Sequence, residues 1–348
     1  MRPTTFFLGS GRSGSTAVSH IMHAHPRILN VNEMLASFFP DAFPEGDLSG
    51  DDYWAFLTGP SPFHNRMIRS GTGIPEMIYT RTPGRRYSAD DEGGIPAILL
   101  MTLSWFDEDP DLLLDELEPV VRSWPARDIA GHYRAFFELL ADRYARDIVV
   151  ERSGYTVDPI PWLRERFGEA TFVHQYRFGP DCAMSMSRHP GYRTGVIYTK
   201  IAESFGLDNL IDLTEEHVRE LPPDLAGLFA EPYDRSLLMD RKVPVADFGD
   251  VWSGVTIRTL ELVEGLGADR LMSLSYEDLL EQPERELRRL AGFLGAEAEP
   301  AWLAASAASL DSSRRGAADR LPPDERAALY AACEPGMEAL RAAGLRAA

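Results

Sequence analysis

The chain has 348 residues, 44% hydrophobic and 26% charged, a composition that excludes a disordered chain and allows two domains or one large α/β domain with insertions. Its formal net charge of −19 argues against nucleic acid or an anionic membrane as the main partner, so an anionic ligand must be met by locally gathered cations. No apolar run approaches the roughly 20 residues that span a bilayer; the longest, Ile95 to Phe106, is broken by Thr102 and Ser104.

The N-terminal stretch Thr4-Thr5-Phe6-Phe7-Leu8-Gly9 lacks the cationic start and cleavage site of a secretory signal. Two cysteines, Cys182 and Cys333, cannot build a disulfide scaffold. Both features predict a reducing, cytoplasmic setting. Lysine occurs only at Lys200 and Lys242, so nearly every cation is an arginine.

In chain order, Phe6-Phe7-Leu8 predicts a strand, Gly9 to Gly14 a loop, and Ser15 to His25 a helix that Pro26 ends. Ala17, Val18, Ile21 and Met22 supply its apolar spacing, and Asn30-Val31-Asn32 predicts the next strand. Residues 35–124 are rich in proline, glycine and aromatic side chains with weak periodicity, which predicts an inserted, partly helical subregion over one end of the sheet. Alternation then resumes. A helix is expected over His132 to Arg146, a strand at Ile148-Val149-Val150, a helix from Pro161 to Phe167, a strand from Thr171 to His174 and a helix from Cys182 to Ser187. Residues 191–249 read as a second, irregular insertion, followed by a helix from Trp252 to Leu266, a strand from Leu271 to Leu274 and a helix from Glu284 to Leu294. Strands alternating with helices predict an α/β fold with a doubly wound parallel sheet, one domain over residues 1–348 carrying the two insertions.

Gly9-Ser10-Gly11-Arg12-Ser13-Gly14-Ser15-Thr16 sits where a phosphate loop of P-loop type belongs. Glycines let successive N–H groups turn inward, and the helix N-terminus adds partial positive charge. The bland alternative is a tight turn that holds nothing. A nucleoside-triphosphatase loop needs lysine before the final Ser/Thr pair; here Ser15 stands in that place and the cation is Arg12 within the loop. Such a loop suits an anion with less need of Mg²⁺ bridging.

Arg12-Ser13-Gly14-Ser15-Thr16 resembles the 5′-phosphosulfate loop of the sulfotransferases that use 3′-phosphoadenosine 5′-phosphosulfate (PAPS). Three further segments resemble that family in order. The strand Phe172-Val173-His174-Gln175-Tyr176-Arg177 leads through Asp181 to Ser185, which implies that Arg177 and Ser185 hold the 3′-phosphate. Ser275-Tyr276-Glu277-Asp278 resembles the family's Tyr-Glu-Asp segment, which implies Tyr276 against the adenine. Arg314-Arg315-Gly316 resembles the late basic-Gly loop over the same phosphate. Each has a structural alternative: a strand-end pair of Arg177 with Asp181, a helix cap at residues 276–278, a solvated pair of arginines.

The resemblance implies a cofactor-binding set of Gly11, Arg12, Ser13, Gly14, Ser15, Thr16, Arg177, Ser185, Tyr276, Arg314, Arg315 and Gly316, with PAPS as donor, 3′-phosphoadenosine 5′-phosphate (PAP) as product and no metal. Arg12 and the loop amides would stabilise the leaving phosphate. Glu33 falls where several family branches carry a catalytic Glu and is the expected general base; the alternative is a Glu capping the next helix. Val150-Glu151-Arg152-Ser153-Gly154 resembles a further family segment, which implies Arg152 facing the sulfonate. His20, His23 and His25 lack a nearby carboxylate or thiolate and are expected to pack structurally, whereas His64, His132 and His189 are candidates to touch the acceptor. The aromatic insertion suggests an apolar acceptor, a small-molecule, lipid-like or polyketide hydroxyl, free or carrier-bound. Two other readings stay open: a P-loop kinase, which would need Mg²⁺ and a loop lysine, and a nucleotide-binding protein without catalysis.

Overall fold

Along the first strand, Phe6 and Leu8 face one side of the sheet and Phe7 the other, each joining a different apolar cluster. That alternation, repeated by Leu29 against Ile28 and by Val149 against Val150, is what a sheet covered on both faces requires. The computed structural model describes residues 2–154, 156–207, 212–311, 313 and 315–347. Its strands are β1 (Thr4–Leu8), β2 (Ile28–Asn32), β3 (Asp47–Leu48), β4 (Arg127–Asp128), β5 (Ile148–Arg152), β6 (Thr171–Tyr176) and β7 (Leu271–Ser275). Five of them form the sheet β2-β5-β1-β6-β7. Every neighbour in it is parallel, with Phe7 opposite Arg152 on one side and Val173 on the other. β3 and β4 make a small antiparallel ladder of their own.

The sheet is the α/β, doubly wound one that the alternation predicts. The chain runs outward from central β1 to β2, returns through β5, and crosses to β6 and β7, so connections diverge on either side of β1. In such sheets the crevice for ligands opens outside the carboxyl ends of the strands at that switch.

Element boundaries follow the expectations closely in the core. The first helix spans Ser15–His23, and the later ones span Ile129–Arg143, Gly179–Met186 and Pro283–Leu294. Two expectations need correction. Trp252 does not head its helix; that helix starts after Pro244 and spans Val245–Val263, leaving Trp252 about two turns inside. Its indole lies so close to Gly179 that a Cβ there would stand 2.5 Å from the ring. The second insertion is also more regular than expected, with helices at Pro190–Ser204, Glu215–Glu220, Pro223–Ala226 and Arg235–Met239. Most of these are too short to show a helical period in sequence, and local caps such as Thr214 and Asp234 start them.

The first insertion packs on the sheet. Tyr53, Leu57, Tyr79 and Leu100 are fully buried in the same cluster as Phe6 and Leu8. Most of its aromatic residues therefore build its own core, although Phe39 stays 56% exposed. No described helix is long and apolar enough to cross a membrane.

Candidate functional site

The parallel sheet gathers the predicted residues because each stands at the carboxyl end of a strand or just beyond it. Glu33 follows β2, the Gly9–Gly14 loop follows β1, Arg152 ends β5, Arg177 follows β6, and Tyr276 follows β7. Five positions scattered over the sequence thus meet along one edge.

The loop turns through left-handed backbone at Gly11, Arg12 and Gly14. A side chain at Gly11 would meet the Gly154 carbonyl at 2.3 Å, and one at Gly14 the Tyr276 ring at 2.2 Å, so both positions require glycine. Arg12 adopts φ 52° without that freedom, a conformation that costs on the order of 1–2 kcal/mol. Among the described residues, the N–H groups of Gly11, Arg12, Ser13 and Gly14 have no acceptor. Unpaired amides ahead of a helix N-terminus, with an arginine among them, are the donor set of an anion site. The loop is held from beneath, where Gln175 donates to the Ser13 carbonyl at 3.1 Å and Tyr192 to the Ser10 carbonyl.

Arg12 reaches two partners. Its Nε donates to Ser185 Oγ at 3.3 Å and its Nη1 to Glu76 Oε1 at 3.2 Å. Ser185, expected at the 3′-phosphate with Arg177, thus also contacts the loop arginine. Arg177 is buried, donates to the Arg12 carbonyl at 3.3 Å and lies 5.1 Å over the Tyr276 ring. It also stands 4.0 Å from Asp181, whose two oxygens accept from the amides of Gly316 and Ala318. Asp181 thereby ties the Arg315-Gly316 loop to the end of β6. Tyr276 is wedged between Gly14 and Arg177 with 3% of its surface exposed, so its ring supports the loop in place of offering an open face to a base. Arg315 donates to Glu281 at 2.6 Å and lines a cavity of about 160 Å³ with Phe178, Glu277 and Tyr330. Arg314 lies outside the described residues. The Ser15 and Thr16 hydroxyls make no hydrogen bond among the described residues, and Thr16 is exposed.

At the floor of the edge, Glu33 and Arg152 form a buried ion pair, with side chains 5% and 2% exposed. Gly154 N–H donates to the other Glu33 oxygen at 2.7 Å, and Arg152 Nε donates to Ser19 at 2.9 Å. Both oxygens of the expected base are thus engaged. Burial pushes the Arg152 guanidinium down to about 9, with the Arg12 charge adding to the effect, and it stays protonated at neutral pH.

The histidines separate cleanly. His20 and His23 pack on Trp105 at 4.8 and 5.1 Å, and burial lowers the pKa of both. His64 shares a hydrogen with Ser61, and burial brings it to about 4. His132 binds the Leu48 carbonyl and stacks on Tyr53. Only His189 among the three acceptor candidates comes near the loop, through Glu76 at 3.4 Å. Glu76 itself escaped the sequence reading. It belongs to no motif, lies in the aperiodic insertion, and carries no local signal that distinguishes it from a surface carboxylate.

No protein-family model matches the chain, and no curated protein matches it. Solved structures similar to it include the sulfotransferase domain from the curacin biosynthetic pathway, at 16% identity and a TM-score of 0.46 over 95% of this chain and 97% of that one. The sulfotransferase domain from the Synechococcus PCC 7002 olefin synthase is 14% identical, with a TM-score of 0.42 over 99% and 95%. A sulfotransferase from Alicyclobacillus acidocaldarius is 16% identical, with a TM-score of 0.40 over 99% and 96%.

Proposed function

We propose that the protein is a sulfotransferase that moves a sulfuryl group from PAPS to the hydroxyl of a small-molecule, lipid-like or polyketide acceptor, free or carrier-bound. The observation that carries this reading is the chain of contacts from Arg12 through Arg177 and Asp181 to Gly316. It lays an amide-lined anion loop beside a second arginine station, as a nucleotide with phosphates at both ends of its ribose needs.

PAPS, when bound, supplies the sulfuryl group and a phosphate leaving group. Arg12 and the amides of residues 11–14 stabilise the charge that develops on that phosphate; Ser15 and Thr16 add hydroxyl donors in the first turn. The Arg12 guanidinium offers hydrogen-bond donors and charge alone, so its work is electrostatic. Arg177, with Arg315 and Gly316, holds the 3′-phosphate, and Tyr276 keeps Gly14 and Arg177 in register. Arg152 lends a fixed positive charge beneath the site, and Glu33 positions it. A loop without lysine supports this over phosphoryl transfer from a magnesium nucleotide.

Thermal melting with PAP, PAPS, ATP and GTP, each with and without Mg²⁺, tests the reading. PAP and PAPS should raise the melting temperature without magnesium, and the triphosphates should not. Stabilisation by Mg²⁺–ATP alone would replace the reading with a kinase. PAP binding without any conversion of PAPS would leave a nucleotide-binding protein.

A further inference from the structure

Glu76 enters the site from outside every motif. It precedes the turn Ile78–Arg81, and Arg81 donates to the Pro75 carbonyl at 2.6 Å, which fixes the approach of this segment. Its carboxylate bridges two groups on other elements. Arg12 Nη1 meets one oxygen at 3.2 Å, and His189 Nε2 meets the other at 3.4 Å. His189 precedes the helix Pro190–Ser204, and its ring stands edge-on to Tyr192 at 5.4 Å. His189 Nδ1 is buried and has no partner among the described residues. A buried N–H left unpaired is rarer than a buried lone pair, so the hydrogen belongs on Nε2, donated to Glu76.

We propose, on the sulfotransferase reading above, that Glu76 takes the proton from the acceptor hydroxyl, with His189 as the residue that positions it. The acceptor oxygen forms its bond to sulfur as the bond from sulfur to the 5′-phosphate oxygen breaks. The electron pair of that broken bond leaves with PAP, and the hydroxyl proton goes to the Glu76 carboxylate. Both oxygens of each carboxylate are engaged, but Glu76 is within hydrogen-bond distance of the guanidinium that faces the leaving phosphate and its side chain is 14% exposed, whereas that of Glu33 is 5% exposed and faces Arg152 and Gly154.

The electrostatics add a reason for the timing. Burial pushes the Glu76 carboxyl up, but the His189 hydrogen bond and the charge of Arg12 beside it outweigh burial and hold it below the usual carboxylate range. Arg12 and His189 are the charged or titratable groups in contact with it among the described residues. An anionic donor on Arg12 cancels part of that field, so the carboxylate becomes more basic when the donor arrives. Donor binding thus arms the base.

The test uses the full chain and needs no identified acceptor. PAP binding is measured by calorimetry, and PAPS conversion to PAP is followed as a function of pH with water as acceptor. Glu76→Gln should keep PAP affinity within threefold, slow conversion by about 10²-fold and remove the acid limb that the parent's rate profile shows. His189→Asn should fall between variant and parent and shift the acid limb of the rate profile. Parent-like turnover and acid limb in Glu76→Gln overturn the proposal, as does loss of both in Glu33→Gln with Glu76→Gln unaffected. A melting temperature that falls in step with turnover marks a structural role and also overturns it. Failure of the parent to bind PAP removes the sulfotransferase reading itself, whereas parent binding with unchanged Glu76→Gln removes only the role of Glu76.

Discussion

Two arginine–glutamate pairs stand along the same sheet edge and differ in burial. Arg152–Glu33 lies at the floor, its side chains 2% and 5% exposed, with Ser19 and the Gly154 amide filling the remaining positions. Arg12–Glu76 lies at the rim, 24% and 14% exposed, and its partners come from a loop and an insertion. Taking two charges out of water costs several kcal/mol per ion, and only a fully hydrogen-bonded pair offsets that cost. The floor pair therefore has one stable arrangement. The rim pair is held by a single hydrogen bond at partial exposure, where an incoming anion can take the place of the carboxylate. Identical chemistry gives a fixed strut in one place and an exchangeable contact in the other.

Deleting one partner from each pair is the sharpest way to break this comparison. Glu33→Ala should strand a buried guanidinium and cost about 3–5 kcal/mol of stability. Glu76→Ala should cost no more than about 1 kcal/mol, as partly exposed pairs do. Urea denaturation of both variants checks this, and equal losses would erase the distinction. Arg12→Ala comes next in size. It should leave stability near the parent but slow PAPS conversion about 10²–10³-fold, the usual effect of removing a donor aimed at developing charge. Parent-like conversion in that variant would take Arg12 out of the chemistry.

The floor was legible in the sequence and the carboxylate of the rim pair was not, for a physical reason. Glu33, Arg152, Arg177 and Tyr276 sit at strand ends whose apolar runs announce themselves, and parallel order brings those ends together. Glycines at 11 and 14 mark a loop because the backbone there admits no side chain. Glu76 has none of these marks. Its position follows from how the first insertion folds over the sheet, and that depends on long-range packing of Tyr53, Tyr79 and Leu100. Sequence also says nothing of contacts where direction matters. It assigned Ser185 with Arg177 to one phosphate; in the folded chain Ser185 Oγ also accepts from Arg12, whose backbone is left-handed. The Tyr276 motif likewise says nothing about the Gly14 contact that the ring makes.

A third carboxylate, one residue from Arg152, sharpens the comparison from the other side of the sheet. Glu151 alternates away from its neighbour and is wholly buried beneath the first insertion, accepting from Ser153 at 2.6 Å and from the Leu35 amide at 3.3 Å. Its second oxygen has no partner among the described residues. Among the described residues it has no cation to pair with, and burial pushes it up to about 7. The folded protein then holds a proton that the unfolded chain releases above its ordinary value of 4.5. This contribution to stability is full below that value, is lost as pH rises from about 4.5 to about 7, and is absent above. Glu151→Gln keeps a neutral side chain of the same shape and suffers no such loss. Relative to the parent, the variant should gain stability through that window and keep a constant advantage beyond it, on the order of 1–3 kcal/mol. Denaturant titrations at pH 5 and pH 8 measure the gap. A gap that does not widen between them would show that Glu151 is charged in the folded state and paired much as Glu33 is.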